Sequence, residues 1–342
     1  MPGPCTSGLR ARWTTPRDSL GAPMPAQPIS LDVAVCTYRR PEGVAELVPQ
    51  LLAQLDGVEE LLDGGSARVV VVDNDAAGSA RDRLAGQAQV GERLHVVVEP
   101  EPGLSAARNR ALREASGRDL LVFIDDDERP REGWLASLVT TYRQTGAAAV
   151  TGPVEPVFEQ RPDPWVASAP VFRRVRRPSG TPVHSAATNN LLLDLVVVRL
   201  LGLEFDPRFA FTGGEDTFFT RALAARAGAL IWCDEAVVTE SIPSERARRE
   251  WVLNRARRNA ETWAWVRLLD ASGPRRAGRR LEFAARGALL WLIGSARALA
   301  SLGASSDRQA RRAQHEHRAA GGRGILRATL RGPTTAPYAR TR

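Results

Sequence analysis

Three consecutive carboxylates, Asp125, Asp126 and Asp127, follow the apolar run 120–124, and Glu128 comes next. Hard oxygens presented together at a strand end are what a divalent cation needs when it holds a diphosphate, with water and phosphate completing the octahedron. One of Asp125 and Asp127 faces the cation while the other reaches a ribose or sugar hydroxyl, and Asp126, between them on the strand, points the other way. Acidic residues also end buried strands with no further role, and the triplet alone does not decide between the two. A second acidic group, Glu215 and Asp216, follows Gly213 and Gly214 at the start of a helical pattern. A carboxylate desolvated there is suited to take a proton from an attacking hydroxyl; in isolation the helix-cap reading comes ahead of it.

Other polar residues sit at comparable places. Asp73 closes a run of four valines and could accept hydrogen bonds from a base edge or ribose hydroxyls. Arg108, near a helix start, has the planar fork that pairs with diphosphate oxygens, or is one surface arginine among many. His184 stands alone in a polar loop and carries no role. Asn189 and Asn190 read as turn residues ahead of sugar ligands, and Trp165 and Trp232 as packing ahead of stacking platforms.

The scaffold that must hold these residues is legible as short apolar runs alternating with amphipathic stretches, the pattern of βαβ units and a mainly parallel sheet flanked by helices. Strands are expected over 31–36, 68–72, 95–98 and 120–124, with helices over 41–55 and from Gly103 onward; Pro41 suits a first helical position. Ligands of open α/β sheets bind outside the carboxyl ends of the strands, so four polar strand ends converge on one crevice. Farther along, a helix over 134–144, strands over 147–152 and 229–233, a strand then helix within 191–201, and helices over 217–226, 244–269 and 281–303 are expected.

Composition bounds the rest. The chain of 342 residues is 43% apolar and 25% charged, an ordinary globular balance that fits one catalytic domain with appended segments. Its net charge is +8, no lysine occurs, and fifteen arginines follow Gly273 against Glu282, Asp307 and Glu316. Such an asymmetry fits a solvated tail, nucleic acid or an anionic membrane face. Cys5, Cys36 and Cys233 have neither disulfide nor zinc spacing, which fits a reducing cytoplasm. No apolar signal segment precedes Pro28. The expected divisions are a disordered arm over 1–28, with Met24 as the expected true start, a catalytic domain over 29–265, a helical segment over 266–305 and an Arg-rich disordered tail over 306–342.

Taken in order, CTYRRPE, VVVVDND, PGLSAARNRAL, LLVFIDDDE, GGEDTFF and VTESIPSERARREWVLNRARRNA resemble the family 2 inverting glycosyltransferases of the GT-A fold, across roughly residues 30–265. The resemblance implies that Thr37, Tyr38 and Arg39 line a nucleotide pocket, that Asp73 holds the base or ribose, and that Arg108 lies near the nucleotide. It also implies that Asp125 and Asp127 form the DxD element, with Asp127 nearest a Mg2+ or Mn2+ ion, and that Asp216, beside Glu215, is the general base. A nucleotide-diphosphate sugar would be the donor and a glycan or lipid-linked hydroxyl the acceptor, in cell-envelope or exopolysaccharide synthesis. Two departures stand out. Glu240 occupies the region where many relatives carry a histidine, and the QxxRW element of processive members is absent, which favours single addition with Arg255 and Arg258 as loose diphosphate candidates.

Within 281–303 the apolar positions between Arg286 and Arg297 fall short of the ~20 residues that span a bilayer. An amphipathic helix lying at the inner face of the cell membrane, or one packed on the catalytic domain, fits equally. A sugar-phosphate nucleotidyltransferase is disfavoured because no Gly-rich phosphate loop follows the first strand. An RNA-binding role is disfavoured because the basic tail lacks interleaved aromatics, and no nucleic acid partner is expected.

Overall fold

The computed structural model describes residues 27–86, 92–173, 176–303 and 305–331. The expected N-terminal arm up to residue 26, including the Met24 start, and the tail beyond residue 331 lie outside the described residues. The chain runs β1 (Leu31–Thr37), α1 (Pro41–Asp56), β2 (Ala67–Asp73), α2 (Ser79–Leu84), β3 (Leu94–Val98), α3 (Leu104–Glu114), β4 (Leu120–Asp125), β5 (Glu128–Pro130), α4 (Trp134–Thr145), β6 (Ala149–Thr151), β7 (Val154–Phe158) and α5 (Pro164–Ala167). It continues through β8 (Pro182–Val183), β9 (Asn190–Asp194), α6 (Leu195–Leu200), α7 (Glu215–Ala227), β10 (Leu230–Trp232) and β11 (Val238–Ile242), and ends in α8 (Arg249–Leu269), α9 (Gly273–Ala300) and α10 (Ser306–Arg331).

The central strands are apolar on both faces because helices cover both. Val33, Val35, Val69, Val71, Val122 and Ile124 face α1 and α4 in one core, while Ala34, Val70, Val72, Leu121 and Phe123 face α3 and α7 in another. The large sheet has the order β3-β2-β1-β4-β9-β6-β10-β8. β3, β2, β1 and β4 are parallel, as the alternation of strands and helices predicts, and so are β6 and β10. β9 runs antiparallel to both β4 and β6, a reversal within an otherwise parallel region. One charge is sunk into this core: Asp32 on β1 has no exposure and is held by Arg68 at 2.9 and 3.0 Å and by Arg118 at 3.0 Å.

A small second sheet, β5-β11-β7, adjoins the large one. The chain leaves β4 at Asp125 and enters β5 at Glu128, so the acid triplet spans the join between the sheets.

The last three helices form one layer, and here the expected disordered tail is corrected. Residues Ser306–Arg331 are helical and pack on α8 and α9. Their inner face is small rather than large: Ala313, Ala319, Gly322, Gly324 and Ala328 are buried with Ile325. A Cβ on Gly322 would meet Trp291 N at 2.5 Å, so the two backbones lie in direct contact. Ion pairs tie α10 to α8: Arg249 of α8 and Arg312 both reach Glu316, and Arg327 reaches the buried Glu261 of α8 at 2.9 Å. The helix α8 also runs past the expected domain end at residue 265 without a break.

Candidate active site

The acid triplet divides its labour by the alternation of the strand. Asp126 turns inward, 6% exposed, and accepts from Thr37 Oγ1 at 2.7 Å and Arg40 Nη1 at 3.0 Å. Asp125 and Asp127 face a cleft of about 600 Å³ that Glu128, Glu240, Asn189, His184, Arg177, Trp232 and Arg255 also line. Asp127 sits between two arginines, Arg40 at 3.0 Å and Arg246 at 3.2 Å, and Arg246 also reaches Glu240 at 3.4 Å.

Four carboxylates crowd this cleft. Glu240 on β11 stands in register with Glu128 on β5, so two like charges face each other across an antiparallel pair. Glu128 is buried, accepting from Asn189 Nδ2 at 2.8 Å and from the Asp125 amide at 3.2 Å. Burial, with Asp125 next and then Glu240 and Asp127, pushes its carboxyl well above the usual range. Asp125 is pushed up to about 7, chiefly by burial, with Asp127, Asp126 and Glu240 adding to the push and Arg108 opposing it. Such mutual repulsion is relieved by a cation. Among the described residues no three acidic, imidazole or thiol groups are already gathered as a ligand set. The carboxylates that face the cleft nonetheless offer hard oxygens, and they fit a hard divalent ion whose remaining positions would be filled by phosphate and water.

The second acidic cluster is tied to the first through Arg108. This arginine is 7% exposed, donates through Nη1 to Glu215 Oε1, lies 3.8 Å from Asp125 through Nη2, and rests over the Phe205 ring. Glu215 is therefore spent on Arg108 and is itself buried. Asp216, in the first turn of α7, is half-buried; its Oδ1 accepts from the next amide, that of Thr217, and it does not line the cleft. Gly214 makes this loop possible. Its φ is +99°, and a Cβ there would stand 2.2 Å from Thr262 Cγ2 on α8. Gly214→Ala should lower stability by about 2–4 kcal/mol, from left-handed strain and overpacking together, read as the denaturant midpoint at unchanged m-value; a loss under 0.5 kcal/mol would show that α8 does not seat this loop.

The residues assigned to a nucleotide are less uniform. Tyr38 and Arg39 lie on the loop after β1, with Arg39 over the Tyr38 ring at 5.1 Å, 3.7 Å from Asp75, and at a left-handed φ of 54°. Thr37 is 3% exposed and braces Asp126. Asp73 does not meet the expectation placed on it: it has no exposure, and its oxygens accept from the backbone amides of Asp75, Ala80 and Arg81 at 2.7–3.1 Å. The residue holds its own loop and offers nothing to a base or ribose.

Several site residues escape the sequence pattern. Arg40 and Arg246 clamp Asp127, and His184 lines the cleft although no spacing distinguished it, while Glu240, noted in the sequence as a departure from relatives, completes the acidic wall. Arg255 lines the cleft and Arg258 does not. Asn190 is structural: it accepts from Trp134 Nε1 at 2.9 Å and donates to the Pro153 and Ala236 carbonyls.

An α/β sheet whose fourth strand ends in an acidic cleft, joined there to a small second sheet, defines a glycosyltransferase of the GT-A type. Residues 32–193 match the model for glycosyl transferase family 2. The chain is 34% identical over 281 residues to the succinoglycan biosynthesis protein ExoM of Rhizobium meliloti (strain 1021), covering 80% of this chain and 89% of that protein. It belongs to glycosyl transferase family 2. A glucosyl-dolichyl phosphate glucuronosyltransferase of Haloferax volcanii is 33% identical over 150 residues, 42% of each chain. The crystal structure of GalNAc-T7 with UDP, GalNAc and Mn2+ shares the fold, with a TM-score of 0.50 at 13% identity over 72% of this chain and 52% of that one.

Proposed function

We propose that this glycosyltransferase moves a sugar from a nucleotide-diphosphate donor to a hydroxyl of a glycan or lipid-linked acceptor, one residue per encounter, in the synthesis of an envelope or extracellular polysaccharide. The observation that carries this reading is the convergence of Asp125, Asp127 and Glu240 on one cleft at the join of the two sheets. The name of the Rhizobium relative supports the polysaccharide setting.

In this reading Asp127 is the foremost ligand of a Mg2+ or Mn2+ ion, with Glu240 beside it and Asp125 directed at a hydroxyl of the donor. A bound divalent ion supplies charge neutralisation for the departing diphosphate. Arg177 and Arg255, on the same cleft, favour the same negative charge. Thr37, Tyr38 and Arg39 border the nucleotide end. Asp216 takes the acceptor proton on Oδ2 while the acceptor oxygen bonds to the anomeric carbon. The carbon–oxygen bond to phosphate breaks with its electrons leaving on the nucleoside diphosphate, and in-line attack inverts the centre. Glu215 and Arg108, paired with each other, position Asp125 and the Asp216 loop rather than touching substrate.

Thermal unfolding with UDP-, GDP- and TDP-sugars, with and without Mn2+, tests the reading. One nucleotide should raise the midpoint by several degrees only with the metal, since about 2.7 kcal/mol accrues at 100 times Kd. Asp127→Asn should abolish that rise. Stabilisation that ignores both metal and Asp127 would place the donor elsewhere.

A further inference from the structure

The outward side of α9 is apolar along its second half. Leu281, Ala285, Leu289, Leu292, Ala296 and Leu299 recur every three or four residues, which sets them on one stripe. All six are exposed, Leu281 by 75%, Leu292 by 60% and Leu299 by 68%. The stripe is about 27 Å long. Phe283, Gly287, Gly294 and Ala298 are the buried residues of the same helix. An apolar face of this extent without a protein partner marks an interaction surface.

Beside it lies a second cavity, of about 460 Å³, lined by Arg257, Arg323, Arg327, Leu330 and Arg331. Arg257 and Arg327 pair with the buried Glu261 at 2.8 and 2.9 Å, and Arg323 rests over the Trp291 ring of α9 at 5.3 Å. The cavity therefore abuts the helix that carries the leucine stripe, and four arginines line it, two of which share one carboxylate. Between residues 273 and 331 thirteen arginines stand against Glu282, Asp307 and Glu316. A second copy of the chain would set this charge against itself. A surface with phosphate above and hydrocarbon below complements both features.

We propose that α9 lies in the plane of an anionic bilayer with its leucine stripe at the acyl boundary, and that the arginine cavity between α8 and α10 takes a lipid phosphate. By length and composition Gly273–Ala300 is apolar enough to cross a bilayer, with a window of mean hydropathy 1.2. Crossing conflicts with its neighbour. Gly287 and Gly294 touch Gly322 and Ala319 of α10, so a spanning α9 would draw the charged Arg318 and Arg323 into hydrocarbon, where a guanidinium is strongly disfavoured. Lying flat keeps those arginines at the head groups. The inference rests on this surface alone and requires no assumption about sugar transfer.

The test is co-sedimentation of the full chain with phosphatidylcholine vesicles, with and without phosphatidylglycerol, at low and high salt. The protein should pellet with anionic vesicles at low salt and be released by high salt. Arg323→Gln with Arg331→Gln should lower the partition coefficient about 30-fold, at about 1 kcal/mol per arginine. Leu289→Gln with Leu292→Gln should lower it about 100-fold through lost apolar burial. Both pairs are surface changes and should leave stabilisation by donor and Mn2+ unchanged, which separates a failure of docking from a failure of the transferase reading. Protein that stays in the supernatant with anionic vesicles at low salt overturns the proposal. So does stabilisation by inorganic pyrophosphate through Arg323 and Arg331 without vesicle binding, which would make a soluble anion the ligand. Self-association that the leucine pair abolishes, again without vesicle binding, would assign the stripe to a second copy.

Discussion

Asp216→Asn should slow sugar transfer by about 10²–10⁴-fold, the range contributed by a positioned general base, while leaving nucleotide affinity within about twofold. The substitution is nearly isosteric. An asparagine Oδ1 still accepts from the Thr217 amide, as Asp216 Oδ1 does, so the first turn of α7 keeps that bond. What changes is the other terminal atom, which becomes a donor and has no capacity to accept a proton from an incoming hydroxyl. The measurement is release of nucleoside diphosphate under saturating donor and acceptor, paired with calorimetric titration of the nucleotide. Because Asp216 lies apart from the residues lining the metal-side cleft, the two readouts should separate. Transfer within tenfold of wild type would reduce Asp216 to a helix cap.

Replacing Arg108 should cost the fold more than any other change at the site. Arg108→Ala removes the guanidinium that faces Glu215, a residue 2% exposed whose Oε2 already has no hydrogen-bond partner. An uncompensated buried carboxylate destabilises by about 3–5 kcal/mol. The sign with pH follows from proton binding: an unpaired buried carboxyl prefers its neutral form, so the folded variant binds more protons than the unfolded chain. Its stability should therefore fall as pH rises and be partly restored in acid. Removing both charges, Arg108→Leu with Glu215→Leu, should be far milder than Arg108→Ala alone, because an apolar pair leaves nothing unsatisfied. Denaturant titrations of the two variants across pH decide it. Equal loss in both would mean that the arginine matters for packing over Phe205 rather than for charge.

The parallel half of the sheet could be read from sequence because each of its strands is an apolar run ending in a polar residue, with helical patterns between. β9 could not be oriented that way: its run of three leucines is buried on both faces whichever direction it takes. The helix α10 was hidden for a different reason. Its buried face consists mainly of alanine and glycine, which contribute little hydropathy to a periodicity count yet permit backbone contact with α9. At the site, the strand alternation of Asp125, Asp126 and Asp127 was legible because it is local geometry. The clamp of Arg40 and Arg246 on Asp127 was not, since the two arginines lie 87 and 119 residues from it in a chain where arginine is everywhere. Asp73 misled because a strand-end aspartate turned outward and one turned back to cap its own loop have the same sequence signature.

The helix α8 is a wall with two occupied sides. Thr262 and Val266 close on Gly214, next to the loop that bears Asp216, while Arg257 and Glu261 of the same turns face α10. A helix with its side chains is about 10–12 Å across. A shift of α8 is therefore felt on both sides at once, by the Gly214 loop and by the ion pair that holds α10.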